Sequence, residues 1–189
     1  MTSFSYEIGY LRAGVSAIES YLLSNELYWP LDANALPGER PYPRLTLGGM
    51  LLARARAWAY PSSLSQQAEL QNLDEKIESG KTRWRVAWGK KATRSFQARL
   101  KLWRDYLDET IEHPEANADR YAYEVERRVM LHLLSPEVED LPQAYRDMLA
   151  GLDLRLRGAF RAGEFIWDPQ ITAGFPVEEY WYLFGTLAD

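Results

Sequence analysis

The chain has 189 residues, of which 47% are hydrophobic and 13% are aromatic. This length and composition predict one globular domain over residues 1–189 and exclude a chain that is disordered throughout. The formal net charge of −5 argues against generic nucleic-acid binding, and the absence of cysteine excludes disulfides and thiolate metal sites.

Three helices are predicted in the first eighty residues, because hydrophobic residues recur there at steps of three and four. The first covers Ser5–Leu23. Thr46 can cap the second, which ends near Tyr60, and a serine at position 62 or 63 opens the third, which ends at Gly80. The third helix turns four apolar residues inward: Leu64, Leu70, Leu73 and Ile77.

The segment Asn25–Arg44 contains four prolines and cannot form a regular helix. It is long for a loop inside a compact domain, and it carries the aromatic residues Tyr28, Trp29 and Tyr42. Such a segment is either a strap that packs on the core or a binding loop. The strap is favoured, because aromatic side chains bury large areas.

One long helix is predicted over Thr82–Glu112, and its first part is strongly basic. Between Lys81 and Arg104 there are nine Lys or Arg residues and no Asp or Glu. At about 100° per residue, the apolar side chains occupy one arc and the charges the opposite side. The apolar arc consists of Trp88, Ala92, Phe96, Trp103, Tyr106 and Leu107.

The outward cations of this helix allow three interpretations. Arg83, Lys90, Arg94 and Lys101 are candidate anion-binding residues, because a local basic excess attracts anions even on an acidic chain. The same residues can form a protein interface. They can also be solvated or paired with the acidic residues of the preceding helix, and this third interpretation is favoured. Those acidic residues are Glu69, Asp74, Glu75 and Glu78.

The second half of the chain is predicted to be helical with an aromatic tail. Asp119 caps a helix to Leu134, and Ser135–Phe160 forms the next. Within it, Leu152–Arg157 also alternates with period two, as in a strand, but the longer helical phase is favoured. In the tail, Glu164–Pro176 is an irregular strap, and Val177–Leu187 forms a short helix.

The usual reactive groups are scarce, so no catalytic, cofactor-binding or metal-ligating residue is predicted. His113 is interpreted as a surface residue at a helix end, and His132 as a hydrogen-bonded residue at the edge of the core. Glu-x-x-His pairs are missing, and Gly48-Gly49 lacks the lysine of a phosphate-binding loop, although helix amides there can hold an anion.

Three arginines near Trp167, of which Arg155 and Arg161 are the candidate anion-binding residues, form a second candidate site. Arg155, Arg157 and Arg161 can line an anion pocket beside this indole, although arginines more commonly pack on aromatic surfaces.

The sequence therefore predicts an all-α fold, a single-domain bundle of five to six main helices with aromatic-rich straps. The leading functional hypothesis is a non-enzymatic protein that binds another protein or a second copy of itself. The candidate interface residues are Tyr180, Trp181 and Phe184, because Trp and Tyr are enriched where interfaces concentrate binding energy.

Two alternatives stay open at this point. One is a small-molecule-binding protein or enzyme with an aromatic and arginine-lined pocket between helices. The weaker one is nucleic-acid binding through the basic helix over residues 82–104. No apolar run reaches the length of a membrane span and no secretion signal is recognisable, so we expect no membrane partner and a cytoplasmic location.

Overall fold

The computed structural model describes residues 2–112 and 118–187, and it confirms the all-α prediction. The described residues form eight helices and a two-stranded antiparallel sheet. The helices are α1 (Phe4–Leu23), α2 (Leu47–Ala59), α3 (Leu64–Arg83), α4 (Arg85–Glu112), α5 (Tyr121–Glu124), α6 (Glu126–Leu134), α7 (Gln143–Gly158) and α8 (Val177–Tyr180). The strands are β1 (Phe160–Phe165) and β2 (Phe184–Leu187), and 3₁₀ turns cover 118–120, 135–137, 169–174 and 181–183.

The first three helices begin at side-chain caps. Ser3 caps α1, and the Thr46 hydroxyl accepts a hydrogen bond from Gly49 N–H at 3.0 Å at the start of α2. Ser63 and Gln66 form a reciprocal capping box on α3. Each cap satisfies an amide that has no partner inside its helix and contributes about 1 kcal/mol. The local sequence therefore fixes these three boundaries.

A kink at Trp84 separates α3 from α4. Gly80 does not end α3, which continues to Arg83, and the predicted helix over Thr82–Glu112 is broken at Trp84, where ψ is 36°. A Cβ at position 80 would lie 3.3 Å from Ile18 Cδ1, so this glycine lets α1 pass close to α3. It serves helix packing here, and the prediction of a helix stop was wrong for that reason.

Helix α4 is the centre of the bundle, and it packs against α1, α2, α6 and α7. Its predicted apolar arc is confirmed, because every member is at most 3% exposed. These residues belong to one hydrophobic cluster that extends from Ile8 to Leu187. None of the described helices is both long and apolar enough to cross a membrane.

Three of the four acidic residues of α3 pair with arginines of α1 and α2, and among the described residues none of the four pairs with the basic side of α4. Arg12 pairs with Glu69, while Arg54 lies 2.9 Å from Asp74 and 2.8 Å from Glu78. Helix α3 packs along α1 and meets α4 only near their junction, so its carboxylates face other arginines. The predicted pairing between the two helices is therefore wrong.

The segment between α1 and α2 lies on the core through its aromatic residues. Tyr42 packs edge-on against Tyr6 and Tyr10, with ring centroids 5.1 and 5.8 Å apart, and Trp29 forms a β-bridge with Leu45. These contacts hold the segment on the core near both of its ends, as a strap.

The second half of the chain departs from prediction at its helix ends. Asp119 makes no cap, because a 3₁₀ turn leads directly into α5. Ser135–Glu137 is a separate 3₁₀ turn, and α7 begins only at Gln143, after extended residues at Val138 and Pro142. The choice of helix for Leu152–Arg157 is confirmed.

The tail contains a two-stranded antiparallel sheet that the sequence prediction missed. Phe160 pairs with Leu187 and Arg161 with Thr186, so the helix predicted through Phe160 ends early, and the one predicted to Leu187 is a single turn. Gly185 adopts φ +147°, and a Cβ there would lie 2.2 Å from Arg161 O. The close approach of the two strands therefore requires glycine.

Phe96→Ala tests the buried arc of α4. We expect it to lower the free energy of unfolding by about 3–5 kcal/mol, because Phe96 is fully buried and its removal leaves a cavity. Leu64→Ala is the matched control. Leu64, predicted to face inward, is 84% exposed, and its loss should change stability by less than about 0.5 kcal/mol. Urea denaturation followed by circular dichroism gives both values, and equal effects would contradict this packing.

Candidate functional site

A groove of about 950 Å³ lies between the C-terminal end of α1 and the first half of α4. We call it the basic groove. It combines apolar and cationic side chains, with Glu139 and Asp140 at its edge. The residues that define it are Leu23, Trp84 and Val86 together with Arg83, Lys90 and Arg94.

The wall formed by the end of α1 is fixed by cations of α4. Ser24 ends α1 in an extended conformation, with its amide bonded to Ser20 O at 3.1 Å. Lys91 donates to Glu26 O and Arg94 donates to Asn25 O at 2.8 Å, so the chain after α1 is held against α4. Burial lowers the pKa of Lys91, which is 3% exposed, and the nearby Arg94 lowers it further.

The apolar part of the groove is open to water. Val86 is 72% exposed and Leu23 is 55% exposed, and Trp84 is half-buried beside them. Apolar side chains that share one concave surface indicate an interaction site more strongly than scattered ones do. No neighbour fills the space next to Gly89, because a Cβ at that position would meet nothing within 4 Å.

The cationic part consists of exposed side chains in a nearly straight row. Lys90, Arg94 and Lys101 lie within an arc of about 40° on α4 and span about 16 Å along its axis. We call these three residues the cation row. In the part of the chain that the structure describes, Lys90 and Lys101 have no carboxylate within ion-pair distance. Arg83 lies at the end of α3 and stacks on Trp84 at 5.3 Å.

The structure therefore brings three of the predicted anion-binding residues into one groove and separates the others from it. Lys101 continues the cation row beyond the groove. Arg155 pairs with Asp108 at 2.7 Å, and Arg161 is exposed on β1, so these two do not share a pocket with each other. Two arginines stack on tail indoles: Arg157 lies 3.8 Å from the ring centroid of Trp181, and Arg56 lies 4.2 Å from that of Trp167.

The predicted interface residues of the tail are largely internal. Tyr180 is 7% exposed and packs edge-on against Phe175 at 5.1 Å, while Trp181 and Phe184 are half-buried. Tyr180 was expected in an exposed position, and this was wrong because tail aromatics pack on one another. The tail offers less apolar surface to a partner than its composition suggests.

A buried polar cluster joins α1, α2, α6 and the residues just before the 3₁₀ turn at 169–174, and it was not predicted from the sequence. Arg56 is at its centre, 2.8 Å from Glu126 and 3.8 Å from Glu7, and it stacks on Trp167 at 4.2 Å. Burial raises the pKa of Glu7, and Arg56 opposes this rise. Tyr60, whose pKa burial and Asp168 raise to about 12, borders the same region.

The sequence did contain a signal for this cluster. Glu7, Leu11, Gly14 and Ile18 recur at steps of three and four, so Glu7 lies on the inward face of α1. The adjoining cavity is about 210 Å³, smaller than usual ligand pockets, and the chain itself supplies both carboxylates and arginines there. The cluster is therefore interpreted as a connection between elements.

A second groove of about 730 Å³ between α2 and α6 contains His132. Burial and Arg128 lower the pKa of this imidazole, and Glu179 opposes the change. Arg128 pairs with Asp153 at 2.7 Å, and Glu137 pairs with Lys81 at 2.8 Å. The charged groups of this groove are thus occupied by the protein's own side chains.

The remaining candidates for ligand or metal binding are the amides at the start of α2 and the His, Asp and Glu side chains. Gly48 N–H donates to Ser95 Oγ at 3.4 Å, so the amides that begin α2 are occupied by side chains. Among residues 2–112 and 118–187, no group of three or more His, Asp or Glu side chains can hold a metal ion. His113 lies outside the described residues.

Comparisons with protein-family models, with curated proteins and with solved structures found no match for this chain. The function proposed below is therefore inferred from the geometry of the sites.

Glu7→Gln tests the buried cluster through pH. A carboxyl whose pKa is raised by folding stabilises the folded state fully below the unfolded value of 4.5 and loses this contribution as pH rises through the folded value. We expect wild type to lose stability relative to Glu7→Gln as pH rises from 4 to 8. Urea denaturation at each pH gives the difference.

The control for this experiment is Glu75→Gln on α3. Glu75 is exposed and lies outside the cluster, so its stability difference from wild type should stay constant over the same pH range. A constant difference for Glu7→Gln as well would contradict burial of the Glu7 carboxyl.

Proposed function

We propose that this protein acts by binding a segment of another protein in the basic groove. The observation that carries the proposal is the combination of exposed Val86 and Leu23 with the cations Arg83, Lys90 and Arg94 on one concave surface. The partner segment is accordingly acidic and carries apolar side chains.

Apolar contacts supply the affinity and the cations supply the selection. Covering Leu23, Trp84 and Val86 removes apolar surface from water, at about 25 cal/mol for each Å². The cations favour carboxylates and disfavour basic segments. A nucleic acid would contact the cation row and leave much of this apolar surface exposed, so a protein segment fits the surface better.

The groove is a better interface than the tail for a second reason. Tyr180 already contacts Phe175 and Tyr182, and therefore has little surface left for a partner. In contrast, Val86 and Leu23 leave more than half of their surface uncovered. The leading hypothesis of a protein-binding role is retained, and its location moves from the tail to the groove.

The test is selection from a phage-displayed library of random 16-residue peptides on the immobilised full chain. We expect the selected peptides to be enriched in Asp, Glu and large apolar residues. Val86→Asp and Lys90→Glu should each weaken the selected peptides about tenfold, because one places a charge in the apolar surface and the other reverses the cation row.

Arg161→Glu is the matched control for charge reversal. Arg161 is equally exposed but lies on β1, so this variant should bind the same peptides within about twofold of wild type. The proposal is overturned if no peptide is selected, or if the selected peptides are basic or insensitive to the groove variants. It is also overturned if a 20-residue oligothymidylate binds more tightly than any selected peptide.

A further inference from the structure

We infer that the partner segment enters the basic groove as an acidic amphipathic α-helix that lies along α4. This inference rests on the proposed function, and it adds the conformation and direction of the bound segment. Three observations support it: the backbone of the groove walls, the spacing of the cation row, and the open space beside Gly89.

The first observation is that the groove walls present backbone groups that already have partners. From Trp88 onward the amides of α4 bond within the helix, with Trp88 N–H donating to Trp84 O at 2.9 Å, and Ser24 N–H uses Ser20 O at the end of α1. The carbonyls of Asn25 and Glu26 accept from Arg94 and Lys91. An extended peptide would lose hydrogen bonds to water without replacement, whereas a helix satisfies its backbone internally.

The second observation is the straightness of the cation row. Lys90, Arg94 and Lys101 face one direction over about 16 Å, which is three turns of helix. A partner helix lying along α4 presents carboxylates at the same separations of four and eleven residues, so the three pairs form together. A segment that crosses α4 steeply would leave Lys101 without a contact.

The third observation is the space beside Gly89. Position 89 lies in the groove near Val86, and a Cβ there would contact nothing within 4 Å. The axes of packed helices approach to about 8–10 Å only where the side chains between them permit it. Gly89 therefore lets the apolar side of a partner helix approach α4 closely.

Gly89→Leu separates binding from folding. A leucine has higher helix propensity than glycine, and its Cβ would meet no atom within 4 Å, so we expect the variant to be at least as stable as wild type. It should nevertheless weaken the tightest acidic library peptide at least tenfold, because the side chain occupies the space that the partner helix requires. Urea denaturation and fluorescence anisotropy with the labelled peptide give the two measurements.

The helical conformation is tested on the same peptide. A proline in its centre should weaken binding at least tenfold, since proline breaks a helix, and the circular-dichroism signal at 222 nm should increase when the parent peptide binds. Lys101→Glu should weaken binding about threefold or more, with Arg161→Glu again unchanged.

The outcomes distinguish the two proposals. If the proline peptide binds within twofold of its parent, or if Gly89→Leu or Lys101→Glu has no effect, the helix along α4 is overturned while binding in the groove stands. If the library yields no acidic peptide that depends on Val86 and Lys90, the proposed function fails, and this inference fails with it.

Discussion

The structure depends on the division of α4 into a buried aromatic side and a hydrated basic side. Phe96 and Trp103 are fully buried, and α4 packs against α1, α2, α6 and α7. Burying such rings is worth about 1.5–3 kcal/mol each relative to leaving them exposed. A rotation of α4 by half a turn would expose these rings and bury the cation row, so the sequence of this helix determines how the others assemble.

Some cations of α4 are buried, and they connect distant segments. Lys91 and Arg99 are at most 7% exposed, and their hydrogen bonds go to neutral oxygens and a thioether, including Ser24 Oγ at 3.2 Å and Thr46 Oγ1 at 2.9 Å. A buried charge requires such bonds, because its loss of hydration is otherwise costly. These two residues attach the end of α1 and the start of α2 to α4. The contacts of Lys91 thereby shape one wall of the basic groove.

Local signals predicted much of this fold. Thr46 and Ser63 cap their helices as expected, and the apolar arc of α4 follows directly from its period. The predictions that were wrong concern features that depend on contacts between distant residues. Gly80 is a packing residue because Ile18 approaches it, and the two-stranded sheet forms where Gly185 lies against Arg161. Neither neighbour can be identified from the spacing of residues in one segment.

The candidate site was also only partly predictable, because some of its residues come from distant parts of the chain. The cations of the groove were recognised from α4 alone, because they lie on the side opposite the tryptophans. Leu23 completes the apolar surface, but it lies about sixty residues earlier in the chain, and only the packing of α1 against α4 places it there. Glu7 was visible on the inward side of α1, yet its partner Arg56 comes from another helix.

The most direct test of the division of α4 compares neighbouring lysines. Lys90 and Lys101 are exposed, whereas Lys91 is buried and bonded to Ser24 and Glu26. In pulsed acetylation read by mass spectrometry, Lys90 and Lys101 should react rapidly in the folded protein, and Lys91 should react at least tenfold more slowly than in urea. Its lowered pKa favours reaction, so any protection comes from packing. If Lys91 reacts as fast as Lys90 in the folded protein, the orientation of α4 is wrong.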